Sequence, residues 1–249
     1  MKRSYNIFLD VGTGGCMAHV LGSLLGCNRT ARNQTRAIAK IKEEIVAYSK
    51  WLRAHGQRAF CPSINEINPM IAEAVRNQDP WIAGGTAALF QPERESVTSR
   101  DIQMCLRRMS WNREDLLKLV CDLPAALIRR KPRGEPRSIQ NTLCHIAVCE
   151  IWYISRLERK IREPKGGLSR NPFKLLAQTR KIASNGLLSL TPAQRRNVYV
   201  PKKWCSPRQR NLGEQWTAKK VLRRLLEHER QHTQYIERLL REQFARQET

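Results

Sequence analysis

The stretch Val221-Leu222-Arg223-Arg224-Leu225-Leu226-Glu227-His228-Glu229-Arg230-Gln231-His232 decides how the second half of the chain is read. Val221, Leu225, Ile236 and Leu239 recur on one face, the period of an amphipathic helix. Thr217 can cap that helix, which should reach about Phe244. His228 and His232 are four residues apart, so they stand only about 40° apart around the axis and share the apolar face. A desolvated imidazole needs a partner. One shared metal ion would serve both.

Three more helices are predicted upstream. Thr98 or Ser99 can cap one that runs to about Asp122 and is closed by Pro124. Ser138 can cap a second, ending near Ile161 before Pro164. Pro172 can open a third that stops near Asn185-Gly186. A basic connection of roughly 25 residues then leads to the fourth, longer than most loops. Four amphipathic helices of this length suit an all-α antiparallel four-helix bundle. His145 falls on the second helix beside Leu143, Ile146 and Cys149. A third imidazole from a facing helix would complete a three-histidine site with open positions. Neutral imidazoles suit a divalent metal ion: zinc, nickel or iron.

Such an ion would generate hydroxide or thiolate near neutral pH, which suits hydrolysis or thiol transfer. Glu150 lies on the apolar stripe of the second helix and Glu229 lies about 60° round from His232. Both are candidate catalytic groups, as a base or as an acceptor that orients a histidine. The bland reading of each is a buried partner for an arginine. Cys149, one turn after His145, is a small core residue or a further ligand. Trp152, Tyr153 and Trp216 are expected to pack the helices, with Trp216 stapling the start of the fourth.

Two other motifs fail. His228-Glu229-Arg230-Gln231-His232 spells the H-E-x-x-H of zinc proteases. The extended form needs glycine at position 235, which is Tyr235. Glu229-x-x-His232 is half of a di-iron motif, and the chain offers no second copy.

Charge bounds the partners. Residues 1–95 carry 12 Lys/Arg and 8 Asp/Glu, whereas residues 96–249 carry 33 and 14, so +19 of the net +23 falls in the second part. Such a field draws anions, either a small anionic thiol or metabolite or a nucleic acid. The charges are dispersed and few aromatics interleave with them, which disfavours nucleic acid. Lys219-Lys220-(x)2-Arg223-Arg224 reads as a solvated helix edge, or as one that steers an anionic thiol cofactor. No apolar run nears the roughly 20 residues of a membrane span. The eight cysteines form no C-x-x-C pair and read as reduced, mostly core thiols. A cytoplasmic protein is expected.

Residues 1–95 have a different period. Ser4–Leu9 and Cys16–Leu21 are β-prone, separated by Gly12-Thr13-Gly14-Gly15. A helix follows from about Asn33 to Ala54, with Ala37, Ile41, Ile45, Tyr48 and Leu52 inward. Residues 57–97 leave room for one more strand. The expected class is a small α+β domain over 1–95 and a helical bundle over 96–249. His19 alternates with apolar neighbours and reads as a packing or surface histidine.

Ser138-Ile139-(x)5-His145-Ile146-Ala147-(x)2-Glu150-Ile151-Trp152-Tyr153, together with Trp216-Thr217-(x)3-Val221-Leu222-Arg223-Arg224-(x)3-His228-Glu229-(x)2-His232, resembles the DinB/YfiT-like superfamily over about 150 residues. The resemblance implies a four-helix bundle, often a homodimer. It also implies a metal held by His145, His228 and His232, in a family with members that transfer thiol cofactors. The stretch Met17-Ala18-His19-Val20-Leu21-Gly22-Ser23-Leu24-Leu25-Gly26-Cys27 resembles the HicB-like fold of antitoxins, with Leu25 where that pattern has proline. The function expected is a metal-dependent enzyme of thiol S-transferase or hydrolase type. The alternative is a non-catalytic binding or regulatory protein whose HicB-like part recognises a partner and whose metal is structural.

Overall fold

The computed structural model describes residues 2–76, 88–158, 165–201 and 214–245. The chain divides into two compact units. Unit 1 holds Met1–Ser96 and Val200–Arg223; unit 2 holds Val97–Tyr199 and Arg224–Thr249.

Unit 1 is built on a four-stranded sheet of order β3-β2-β1-β4. Strand β1 (Arg3–Gly12) turns through Thr13-Gly14 into β2 (Gly15–Val20), the two pairing antiparallel from Gly12 opposite Gly15 to Ile7 opposite Val20. Strand β3 (Cys27–Ala31) adds antiparallel to β2. Helix α1 (Gln34–Ala54) then carries the chain over to β4 (Ile67–Arg76), which pairs parallel with β1. A parallel neighbour requires such a crossover. Asn33 caps α1 by accepting from the Arg36 amide at 2.9 Å. The predicted stripe Ala37, Ile41, Ile45, Tyr48 and Leu52 is buried in full. Every residue of β2 is buried, so that strand is covered on both faces.

Strand β4 is the further strand expected within residues 57–97, while β3 was not foreseen. It is five residues long, CNRTA, too short and too polar to announce itself. His19 is a packing histidine: it is fully buried, its ring 5.4 Å from that of Phe90 and its Nδ1 3.3 Å from the Arg223 guanidinium.

Unit 2 is helical. Helix α2 (Ser99–Val120) starts on a capping box in which Thr98 and Asp101 exchange hydrogen bonds. Short α3 (Ala125–Arg129) precedes α4 (Ile139–Ser155), capped by Ser138. Helix α5 (Pro172–Leu188) has proline in its first turn, and short α6 (Pro192–Arg196) follows it. Helix α7 (Ala218–Ala245) belongs to unit 2 from Arg224 onward. Leu116 and Val120 of α2, Leu143, Ile146 and Ala147 of α4, Leu175 and Leu176 of α5, and Ile236 and Leu240 of α7 share one core cluster.

The four long helices were expected; α3 and α6 were not, since five-residue helices are too short to show a period. Helix α5 runs two residues past Gly186, which was read as its stop. That glycine faces Ile154, where a Cβ would meet the Ile154 side chain at 2.8 Å. It marks a close approach of α4 and α5. Helix α4 stops at Ser155, short of the end expected near Ile161, and the chain turns through residues 156–158 with Glu158 at a φ of 50°. Residues 159–161 of that expectation lie outside the described residues, as does Cys205. None of the seven described cysteines is in a disulfide; Cys16, Cys27 and Cys105 are buried as expected, and Cys121 is exposed. No described helix is long and apolar enough to cross a membrane.

Candidate metal centre

Helix α4 places His145, and α7 places His228 and His232, within one cluster of possible ligand atoms. The Nε2 of His228 lies 3.1 Å from that of His145 and 3.2 Å from that of His232. Protons do not account for this arrangement. An imidazole nitrogen carries either one hydrogen or one in-plane lone pair. His228 Nε2 therefore has one bonding direction for two neighbouring nitrogens. A cation between the three rings would accept a lone pair from each. Metal–nitrogen bonds of about 2.0–2.1 Å in tetrahedral geometry put the nitrogens roughly 3.3 Å apart, close to the spacing found. The donor set fits a divalent ion.

The surroundings keep the rings neutral. Burial pushes His145 down to about 4, and the positive charge of Arg137 adds to the effect. Burial likewise takes His232 down to about 3, with His145, Arg137 and Arg224 adding. His228 falls well below its ordinary value, first by burial and then through His232 and Arg224. Neutral imidazole is the ligating form. Tyr153 lays its ring edge-on to His228, with centroids 5.6 Å apart. The Tyr153 hydroxyl accepts from Arg224 at 3.1 Å, and Arg224 also pairs with Glu227 at 3.0 Å. Cys149 Sγ lies 3.6 Å from Nδ1 and 3.8 Å from Nε2 of His145. Burial pushes that thiol up to about 11.

Glu150 and Glu229 are not part of the histidine cluster. They form a buried four-membered ion cluster with Arg113 of α2 and Arg180 of α5. Arg113 donates to Glu229 at 2.6 Å and to Glu150 at 3.1 Å. Arg180 donates to Glu150 at 2.7 Å and also to Glu229. Thr179 donates its hydroxyl to the second Glu150 oxygen at 2.9 Å. All four carboxylate oxygens are engaged. Each long helix of unit 2 contributes one charge, and Glu229 adjoins His228 in sequence. The cluster therefore fixes α4 and α7 in the register that brings the three histidines together.

The sequence reading singled out neither Arg113 nor Arg180, although a signal was there. Met109, Arg113, Leu116 and Val120 follow one helical stripe, as do Leu176, Arg180, Ala183 and Leu187. An arginine inside an apolar stripe predicts a buried counter-charge.

The basic edge Lys219-Lys220-(x)2-Arg223-Arg224 is not a solvated face. Lys220, Arg223 and Arg224 are each at most 2 % exposed. Lys220 pairs with Glu214 at 3.2 Å and lies over the Trp216 ring, and Arg223 pairs with Glu93 at 2.6 Å. Glu214 and Glu93 both lie outside the helix, where its periodicity does not look. Trp216 is fully buried, as expected.

Four helices that share a core and carry three convergent imidazoles define a histidine-clustered helical protein. The DinB superfamily model matches residues 108–236, and the chain belongs to that superfamily. No curated protein and no solved structure matches the chain.

Proposed function

We propose that His145, His228 and His232 hold one divalent metal ion, zinc, nickel or iron, and that the protein is a metal-dependent thiol S-transferase or hydrolase. The observation that carries this reading is the convergence of three neutral imidazoles, His228 buried and His145 and His232 half-buried, whose Nε2 atoms stand 3.1 and 3.2 Å apart, which hydrogen bonds alone do not satisfy. When bound, the ion supplies a thiolate or hydroxide at neutral pH. Arg113 and Arg180 hold Glu150 and Glu229, which we assign to positioning α4 and α7 and not to proton transfer, because each carboxylate is paired with both guanidiniums and neither belongs to the histidine cluster. We further propose that α2, α4, α5 and α7 form the antiparallel bundle of the superfamily. The sheet and α1 of unit 1 are taken as HicB-like, and the protein as cytoplasmic.

Elemental analysis of the purified protein beside His145→Ala and His228→Ala tests the site. About one metal per chain, lost in both variants, is expected; a wild type that stays metal-free after reloading would sink the reading. The position of Cys149 beside His145 favours a second reading, in which the thiol closes the site as a fourth ligand and the metal is structural. Cobalt substitution separates the two. A thiolate-to-cobalt absorption band that vanishes in Cys149→Ser marks the closed site, and its absence from the wild type marks the open one.

A further inference from the structure

Residues 130–137 join α3 to α4, and Glu135 is their one acid. Glu135 ties them to α7. The Tyr235 hydroxyl donates to one of its oxygens at 2.9 Å and to the Arg137 carbonyl at 3.4 Å. Arg238 pairs with its other oxygen at 3.0 Å. Between these ties the segment is stiff. Pro132 and Pro136 restrict the backbone on either side, and Gly134 takes a φ of 81°, where a side chain would be strained. The Glu135 amide closes the turn by donating to the Pro132 carbonyl at 3.2 Å.

This turn stands on one side of the histidine centre. Tyr235 follows His232 by three residues on α7, and residue 137 precedes Ser138, the buried cap of the helix that carries His145. On the other side Tyr153 of α4 meets Arg224 of α7 at 3.1 Å. Burial tells the two sides apart. Tyr153, Arg224 and Glu227 are each at most 2 % exposed and close the inner side. Every residue of α7 from Arg230 to Tyr235 is half-buried, as are His145 and His232, whereas His228 is buried. Solvent therefore reaches the histidines from the side that residues 130–137 bridge. The tie there is easily released. Arg238 is exposed, and ion pairs in such places contribute little. Arg238 also holds Glu242 at 2.9 and 3.1 Å, so it keeps a counter-charge when Glu135 leaves. Nothing packs within 4 Å of where a Cβ on Gly134 would stand, which leaves the tip of the turn room to move.

We infer that residues 130–137 are a latched strap at the entrance to the three-histidine centre, and that the contacts of Glu135 with Tyr235 and Arg238 are the latch. A ligand larger than water reaches the imidazoles when the strap lifts as a unit. The strap's part in regulating a metal-dependent reaction rests on the metal reading above; its cover over the imidazoles does not.

Cys149 reports on the entrance, because its Sγ lies 3.6 and 3.8 Å from the two ring nitrogens of His145. The full chain, cleared of metal with a chelator, is treated with iodoacetamide, and alkylation of each cysteine is followed by peptide mass spectrometry. Wild type is compared with the double variant Tyr235→Phe/Arg238→Gln and with Glu135→Gln. Cys105, fully buried on α2, is the control for general loosening. Cys149 should react about tenfold faster in the double variant, the order of one net hydrogen bond in the opening equilibrium. Glu135→Gln should show the same selective rise, to a smaller extent. The Cys105 rate and the melting temperature should stay as in the wild type. An unchanged Cys149 rate, or a rise that Cys105 shares, would overturn the strap. Elemental analysis reads the metal separately: a chain that binds none but shows the selective rise loses the metal centre and keeps the strap.

Discussion

Arg113, Glu150, Arg180 and Glu229 balance two positive charges against two negative ones in the interior of unit 2. Breaking such a cluster from one side strands a carboxylate away from water. Arg113→Ala should therefore cost about 3–5 kcal/mol in a urea titration, well above an exposed ion pair. The three imidazoles behave in the opposite sense. In the unfolded chain they titrate near 6.5, whereas in the fold His145 titrates at about 4 and His232 at about 3. As pH falls below about 6.5 the unfolded state takes up protons first, so chelator-treated protein should lose stability down to those values. Urea midpoints at neutral and mildly acid pH check this, and the drop should flatten in His145→Ala/His232→Ala. The histidines were legible in the sequence because five histidines are few and a four-residue spacing fixes a face. The ion cluster was half-legible: Glu150 and Glu229 stood out, but their partners lie on other helices, and sequence spacing does not report contacts between helices.

At the scale of elements, Gly186 is a packing device within α5. Alanine there gains about 1 kcal/mol of helix propensity but drives its Cβ into Ile154 Cγ2 at 2.8 Å, a branch at Cβ that cannot swing clear. Overpacking of this kind costs about 1–3 kcal/mol, so Gly186→Ala should lower the melting temperature despite the better helix former. Ser138→Ala should cost about 1 kcal/mol through loss of the α4 cap, whose hydroxyl accepts from the Asn141 amide at 3.1 Å. Calorimetry on the two variants checks both. Caps and long helices were readable because they depend on neighbours in sequence. The end of α5 was misplaced because a glycine that permits close approach looks, in one dimension, like a glycine that ends a helix.

For the whole molecule, the net charge of +23 overstates the field at the surface. Arg108, Arg156, Lys220, Arg223 and Arg224 are each at most 2 % exposed. Binding to duplex DNA of random sequence should accordingly be weak, without sequence preference, and lost between about 50 and 200 mM salt. Binding that persists through that range would revive a nucleic-acid role. The charge reading went astray because a basic run looks the same whether it faces water or a buried acid. Unit 1 also takes in Val200–Arg223, and Arg223 meets Glu93 at 2.6 Å there, 130 residues away in sequence. A ribosome delivers the sheet and α1 early and the arginine that neutralises Glu93 late. The nascent N-terminal part must wait, its acid unanswered, until most of the chain has been made. An expressed fragment ending at Ser96 stays permanently at that halted stage.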